Sequence, residues 1–207
     1  MKLVLASNSG FLYEEGYKLL GIPFSEIRLG YVTTAGNLRE NKSYIENHKN
    51  EMKKLGIDFY EFDIKDKTID ELRSFFQDKN VIHVVGGDTC YLLLEARKSN
   101  FKIFLDEFFQ RGGMYVGTSA GSYIMGANIE TTFWKDKNKE TYGLTDFAGL
   151  HFVPYMFFAH YTDEMREKIK EKVDHSKYPV KILRDGQALF CDSGKCVFVG
   201  KDKEVII

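Results

Sequence analysis

Met114-Tyr115-Val116-Gly117-Thr118-Ser119-Ala120-Gly121 is the stretch on which the fold turns. An apolar run of strand character feeds a turn of the form Gly-x-Ser-x-Gly, and a short helix-like segment, Ser122 to Met125, follows it. A serine on a sharp strand-to-helix turn holds its hydroxyl exposed. Glycines two residues before and after let neighbouring backbone pass close without a side chain between. The next amide, Ala120 N–H, sits at a helix start, where the positive end of the dipole helps it donate to an oxyanion. Ser119 is therefore a candidate nucleophile and Ala120 a candidate oxyanion donor. The same pentapeptide also makes ordinary tight turns, so its surroundings have to decide.

Upstream, Val81 to Val85 reads as a buried strand ending in Gly86-Gly87-Asp88-Thr89 and opening a helix-like run, Cys90 to Arg97. Two strand ends of one sheet would then face each other. Ligand sites of open α/β sheets lie outside such carboxyl ends. Further out, Leu3 to Ala6, Arg28 to Thr33 and Asp58 to Asp63 read as strands. Residues 41 to 55 read as a charged helix with Tyr44, Ile45, Met52 and Leu55 on its apolar side. Thr68 and Glu71 have capping-box spacing, and Ile69, Leu72 and Phe76 recur on one face of the helix that follows. This alternation predicts an α/β fold with a mostly parallel central sheet.

Beyond the serine turn, residues 130 to 146 are polar and irregular enough for a long loop. Phe152 to Tyr161 is an aromatic run whose length suits a buried strand ending near His160, followed by a helix from about Thr162 to Val173. The last 30 residues alternate apolar runs with turns, which predicts antiparallel strands closing one sheet edge.

A chain of 207 residues suffices for one domain, residues 1–207, with a core that needs no staples. Lys plus Arg total 29 against 30 Asp plus Glu, so nothing in the net charge of −1 points to nucleic acid or an anionic membrane. A small substrate is the expectation. Cys90, Cys191 and Cys196 are an odd, sparse set that makes no metal-ligand pattern, and reduced thiols are the simplest reading. The apolar start, Met1 to Ala6, is too short for a signal peptide, and no apolar stretch is long enough to span a bilayer. A cytoplasmic protein is expected. Exposed apolar residues around the aromatic run would let two copies pair, though the same residues also suffice as core.

A serine needs a base within hydrogen-bond reach, and there are five histidines. His48 in the charged helix and His175 in a polar segment read as exposed, His83 as packed inside a strand, and His151 as the start of the aromatic run. His160 alone sits where a strand is expected to end, on the side of Ser119 and Gly87. For the acid, Asp185 follows the apolar run Val180 to Leu183, and Asp136 in the loop after the serine competes with it. Asp185-Gly186 is also a common turn dipeptide. A second set in a different order, Ser119, Asp163 and His175, would need two residues of one helix and its tail around the serine.

Taken together, these segments resemble peptidase E, the aspartyl dipeptidase family of serine peptidases, over almost the whole chain. The resemblance rests on Ser7-Asn8-Ser9 after the first strand, Val84 to Leu93, Val116 to Gly121, and Phe147 to Tyr161 closing in Ala159-His160-Tyr161. It implies a three-layer sandwich like that of the class I glutamine amidotransferases, with serine at the position of their cysteine. It further implies Ser119 as nucleophile, His160 as base, and Gly87 and Ala120 as oxyanion-hole amides. Asp185 falls where the family carries its carboxylate, which favours it over Asp136. No metal or cofactor is implied. The family's preference for an N-terminal aspartate requires a cation in the pocket, for which Arg166 and Arg184 are the candidates. The rival expectations are an esterase or amidase acting on other substrates, and a homologue that binds a small ligand without turnover.

Overall fold

The computed structural model describes residues 1–135 and 139–207. Its centre is a seven-stranded sheet in the order β3-β2-β4-β5-β1-β8-β9. The strands are β1 (Lys2–Ala6), β2 (Arg28–Val32), β3 (Asp58–Phe62), β4 (Val81–Val84), β5 (Met114–Thr118), β8 (Gln187–Asp192) and β9 (Lys195–Gly200). The first five run parallel, and β8 pairs antiparallel with both β1 and β9. The central parallel strands β1, β4 and β5 are near-continuous buried runs because both faces are covered, whereas the edge strand β3 is largely exposed.

Alternation along each strand divides the core in two. Leu3, Leu5, Ile82, Val84 and Tyr115 face a layer formed by α3 (Ile69–Phe76), α4 (Thr89–Lys98), α5 (Phe101–Gln110) and α6 (Ala120–Tyr123). Val4, Ala6, Val81 and Val116 face α1 (Gly10–Glu14), the 3₁₀ turn Gly16–Leu20, and α2 (Ser43–Lys54). Helix α3 begins with the expected capping box: the Thr68 side chain accepts from the Glu71 amide while the Glu71 carboxylate accepts from the Thr68 amide. The exits of neighbouring β1 and β5 leave on opposite faces, β1 into α1 and β5 into α6. That divergence opens a crevice at the sheet's carboxyl edge. Among the described residues no helix is long and apolar enough to cross a membrane.

The aromatic run departs from expectation. Only Met156–Phe158 forms a strand (β6), and it pairs in parallel with β7 (Val180–Ile182) in a separate two-stranded sheet rather than joining the main one. Phe158, Tyr161, Ile169 and Ile182 make a small core of their own beneath α7 (Arg166–Asp174), so these aromatics are buried without extending the large sheet. The carboxyl-terminal hairpin β8–β9 does close one edge. Its two-residue turn, Ser193-Gly194, has both φ angles positive (49° and 81°), as a tight hairpin turn requires. The resulting register sets Cys191 opposite Cys196, and the two are joined as a disulfide rather than left as thiols. Cys90 alone is a free, buried thiol, pushed up to about 11 by burial. The expectation of reduced thiols therefore holds for Cys90 and not for Cys191 and Cys196.

His48 is also not exposed. It lies three residues after Ile45 and four before Met52, on the buried stripe of α2, and is 2% exposed. It belongs to a continuous buried chain of hydrogen bonds: Tyr31 Oη to His48 Nδ1 (2.9 Å), His48 Nε2 to Tyr17 Oη (3.1 Å), Tyr17 Oη to His83 Nδ1 (2.9 Å), and His83 Nε2 to Thr118 Oγ1 (3.4 Å). With every proton pointing the same way along the chain, both imidazoles are satisfied as neutral rings, each giving one bond and accepting one. Burial holds them neutral, with His48 down to about 3 and His83 well below its ordinary value. In the unfolded chain both titrate near 6.5. Below that pH the unfolded state binds more protons than the folded one, so stability falls as pH falls and is flat above. Between about pH 7.5 and 5.5 each histidine should remove on the order of 1 kcal/mol. Urea unfolding across that range, above the titration of most carboxylates, is expected to show a falling midpoint. A constant midpoint would contradict the neutral pair.

Candidate active site

Ser119 leaves β5 with φ 48° and ψ −109°, a backbone region that side-chain-bearing residues rarely occupy. Its surroundings hold it there. The Ser119 amide extends the sheet by donating to Ala6 O at 3.0 Å, and Ser122 Oγ ties Ala6 O and Gly117 O at 2.8 and 3.0 Å. Both flanking glycines are required by close approach. A Cβ on Gly117 would meet the Gly121 carbonyl at 2.7 Å, and one on Gly121 would lie 2.2 Å from Val84 O. Packing of α6 directly over the ends of β4 and β5 thus explains the pentapeptide in steric terms.

The loop Gly86-Gly87 crosses beside the serine. A Cβ on Gly86 would meet Ser119 Cβ at 3.1 Å, and Gly87, at φ 150°, has no room for one because Ala35 O would be 2.0 Å away. Asp88 N donates to Ala35 O at 2.7 Å, and Tyr44 Oη donates to Gly86 O at 3.0 Å, which fixes the peptide plane that also carries the Gly87 N–H. Among the described residues neither the Gly87 nor the Ala120 amide donates to another group. Gly87 lines the same cleft as Ser119, and the buried Ala120 opens α6 immediately after that serine.

His160 and Asp185 arrive from β6 and β7, whose parallel pairing sets their ends side by side. His160 Nδ1 lies 2.6 Å from Asp185 Oδ1, and His160 Nε2 lies 3.1 Å from Ser119 Oγ. The carboxylate can only accept, so Nδ1 carries the ring proton, and Nε2 is left to accept from the serine hydroxyl. The hydrogen bond from His160, outweighing partial burial, holds the Asp185 carboxyl below the usual carboxylate range, with the Ser7 hydroxyl and the Lys135 charge adding to the effect. The arrangement can withdraw a proton from Ser119 and stabilise the imidazolium that results.

Ser119, His160, Gly87 and their neighbours border an open cleft of about 1250 Å³. Its charges are mixed, with Arg39, Lys135 and Lys139 facing Glu40, Asp88 and Glu140. Arg166 and Arg184 are not among them. Arg184 pairs with Asp163 at 2.5 Å and Arg166 donates to Ile206 O, both beside a separate depression, because the chain after His160 turns away from the cleft. The alternative set falls apart for the same reason, since Asp163 is taken by Arg184 and His175 folds back onto Glu171 O. Asp136 lies outside the described residues. Ser7 enters the sequence reading only as part of the Ser7-Asn8-Ser9 segment, with no role given to it, and Lys135 only within the polar stretch 130 to 146. Each touches the site through contacts made only in three dimensions.

The sequence profile of peptidase family S51 matches residues 4–199. An uncharacterized peptidase of Pasteurella multocida (strain Pm70) is 25% identical over 206 residues, covering 98% of this chain and 99% of the relative. A protein named peptidase E from Shewanella amazonensis (strain ATCC BAA-1098 / SB2B) is 28% identical over 203 residues, covering 93% of this chain and 78% of the relative. Among solved structures, one of a candidate peptidase E protein from Listeria monocytogenes EGD-e superposes with a TM-score of 0.84 at 23% identity, covering 97% of this chain and 98% of that one.

Proposed function

As a member of peptidase family S51, to which this chain belongs, the protein is a peptidase, and we propose that it hydrolyses short peptides, preferring dipeptides with N-terminal aspartate, through Ser119, His160 and Asp185. The observation that carries this reading is the unbroken line from Asp185 to His160 to Ser119 at 2.6 and 3.1 Å, whose last two members line the cleft. Ser119 Oγ attacks the scissile carbonyl as His160 Nε2 takes its proton. The Gly87 and Ala120 amides donate to the oxygen of the tetrahedral intermediate. His160 then delivers the proton to the leaving amine, and a water activated by the same ring releases the acyl group. The proposed triad requires no metal or cofactor.

Preference for aspartate would draw on the cleft's own cations Arg39 and Lys139, because Arg166 and Arg184 lie beside a separate depression and Lys135 is bonded to the carbonyls of Ala159 and His160. The acids Glu40, Asp88 and Glu140 suit a free amino terminus. Amine release from Asp-Leu, Glu-Leu, Ala-Leu and N-blocked Asp-Leu tests both levels of the proposal. Cleavage of Asp-Leu well above the others is expected. Equal cleavage of all four would remove the aspartyl preference and the need for a free amine, and cleavage of acyl esters with none of the peptides would replace the peptide substrate.

A further inference from the structure

His160 has a φ of 57°, a left-handed backbone in a residue with a branched ring. It also lies beyond the end of β6 at Phe158; the peptide after it is held by Tyr161 N–H donating to Leu183 O at 3.0 Å, but among the described residues no main-chain bond takes its own N–H or C=O. Two side chains do so instead. The His160 amide donates to Ser7 Oγ at 2.8 Å, and Lys135 Nζ donates to the carbonyls of Ala159 and His160 at 2.5 and 3.2 Å. The Ser7 hydroxyl then gives its single proton to Asp185 Oδ1 at 2.9 Å, the oxygen that also accepts from His160 Nδ1. Leu183 O, at 3.5 Å, is a poorer acceptor.

These bonds close a ring. It runs from the His160 main chain through Ser7 to the Asp185 carboxylate and back through the imidazole. Ser7 is 0% exposed, so water does not compete for either of its bonds, and loss of the hydroxyl would leave the His160 amide without this partner. Lys135 lies along the cleft with its ammonium 4.8 Å above the Phe158 ring, stationed where β6 ends. We propose that Ser7, with Lys135 on the other side of the same residue, is a positioning residue: together they fix the left-handed backbone of His160, and Ser7 locks the facing carboxylate to it. The inference rests on the reading of His160 and Asp185 as base and acid.

The test is the rate at which a serine-directed phosphonate modifies Ser119, resolved into a maximal rate and a half-saturating concentration. It is measured for wild type, Ser7→Ala, Asp185→Asn and the double variant, with thermal midpoints recorded alongside. Ser7→Ala is expected to lower the maximal rate by about 10- to 100-fold, the worth of one hydrogen bond to a charged group, with half-saturation unmoved. Because Ser7 acts partly through the carboxylate, the same change in the Asp185→Asn background should cost clearly less than in wild type, the remainder being what the His160 amide loses. Lys135→Met should also slow labelling, with Lys135→Arg recovering most of it, and this pair decides the matter if Ser7→Ala does not fold. Wild-type labelling of Ser7→Ala, or of Lys135→Met, overturns the proposal, as does an equal fold-loss from Ser7→Ala in both backgrounds. Wild-type labelling of Asp185→Asn would instead show that the underlying acid–base reading has failed.

Discussion

Ser119→Ala is expected to lower kcat/KM on the best-cleaved dipeptide by about 10⁴- to 10⁶-fold while leaving the fold intact. The size follows from the role: without Oγ there is no acyl-enzyme, and what remains is the cleft's ability to hold substrate beside oxyanion donors. The fold should survive because Ser119's structural contribution is its backbone. Its amide donates to Ala6 O, and its carbonyl accepts from Ser122 N and Tyr123 N at 2.8 and 3.0 Å, bonds that alanine keeps. One cost is foreseen, since alanine must still adopt φ 48°. Circular dichroism and a thermal midpoint near wild type, paired with the kinetic loss, are the measurements that check this. A purified variant retaining more than a tenth of the activity would remove Ser119 from the chemistry.

Asp185→Asn should be the next largest, with kcat reduced by about 10³- to 10⁴-fold and KM little changed. A carboxylate forces the ring proton onto His160 Nδ1, whereas an amide can present its NH₂ there and favour the other tautomer. Nε2 would then carry a proton 3.1 Å from Ser119 Oγ and could not take one. The imidazolium would also lose the negative charge beside it. Since Asp185 lies across His160 from the serine, ground-state binding should be spared. Steady-state kinetics separate the two cases, and an effect confined to KM would mean that Asp185 contacts substrate rather than supporting the base.

A feature of this fold is legible in the sequence to the extent that its signal is local. The serine turn, the Gly86-Gly87 pair and the Thr68 capping box each show a pattern within a few consecutive residues, although the contacts that require the glycines, with Ala35, Val84 and Ser119, are distant along the chain, and the parallel sheet follows from the alternation of strand and helix patterns. His160 and Asp185 were legible as strand-end residues, yet the strands concerned form their own two-stranded sheet. An aromatic run buried in a satellite core looks the same in sequence as one buried in the main core. His48 was misread because the charge of α2 masked the spacing of Ile45, His48 and Met52 along one buried stripe. The bond between Cys191 and Cys196 follows from the two-residue turn at Ser193-Gly194, a register that becomes visible only once the hairpin is drawn residue by residue. Ser7 and Lys135 depend on contacts 153 and 25 residues distant along the chain, and no local pattern reports such a contact.

Ser119 as nucleophile is the assignment from which the proposed mechanism proceeds. Its most direct measurement is peptide mapping by mass spectrometry after reaction of the native protein with a serine-directed phosphonate. One adduct per chain, on the peptide carrying Ser119 and absent from Ser119→Ala, is the predicted result. A stoichiometric adduct on another residue, or none from protein that is cleaving dipeptides, would contradict it.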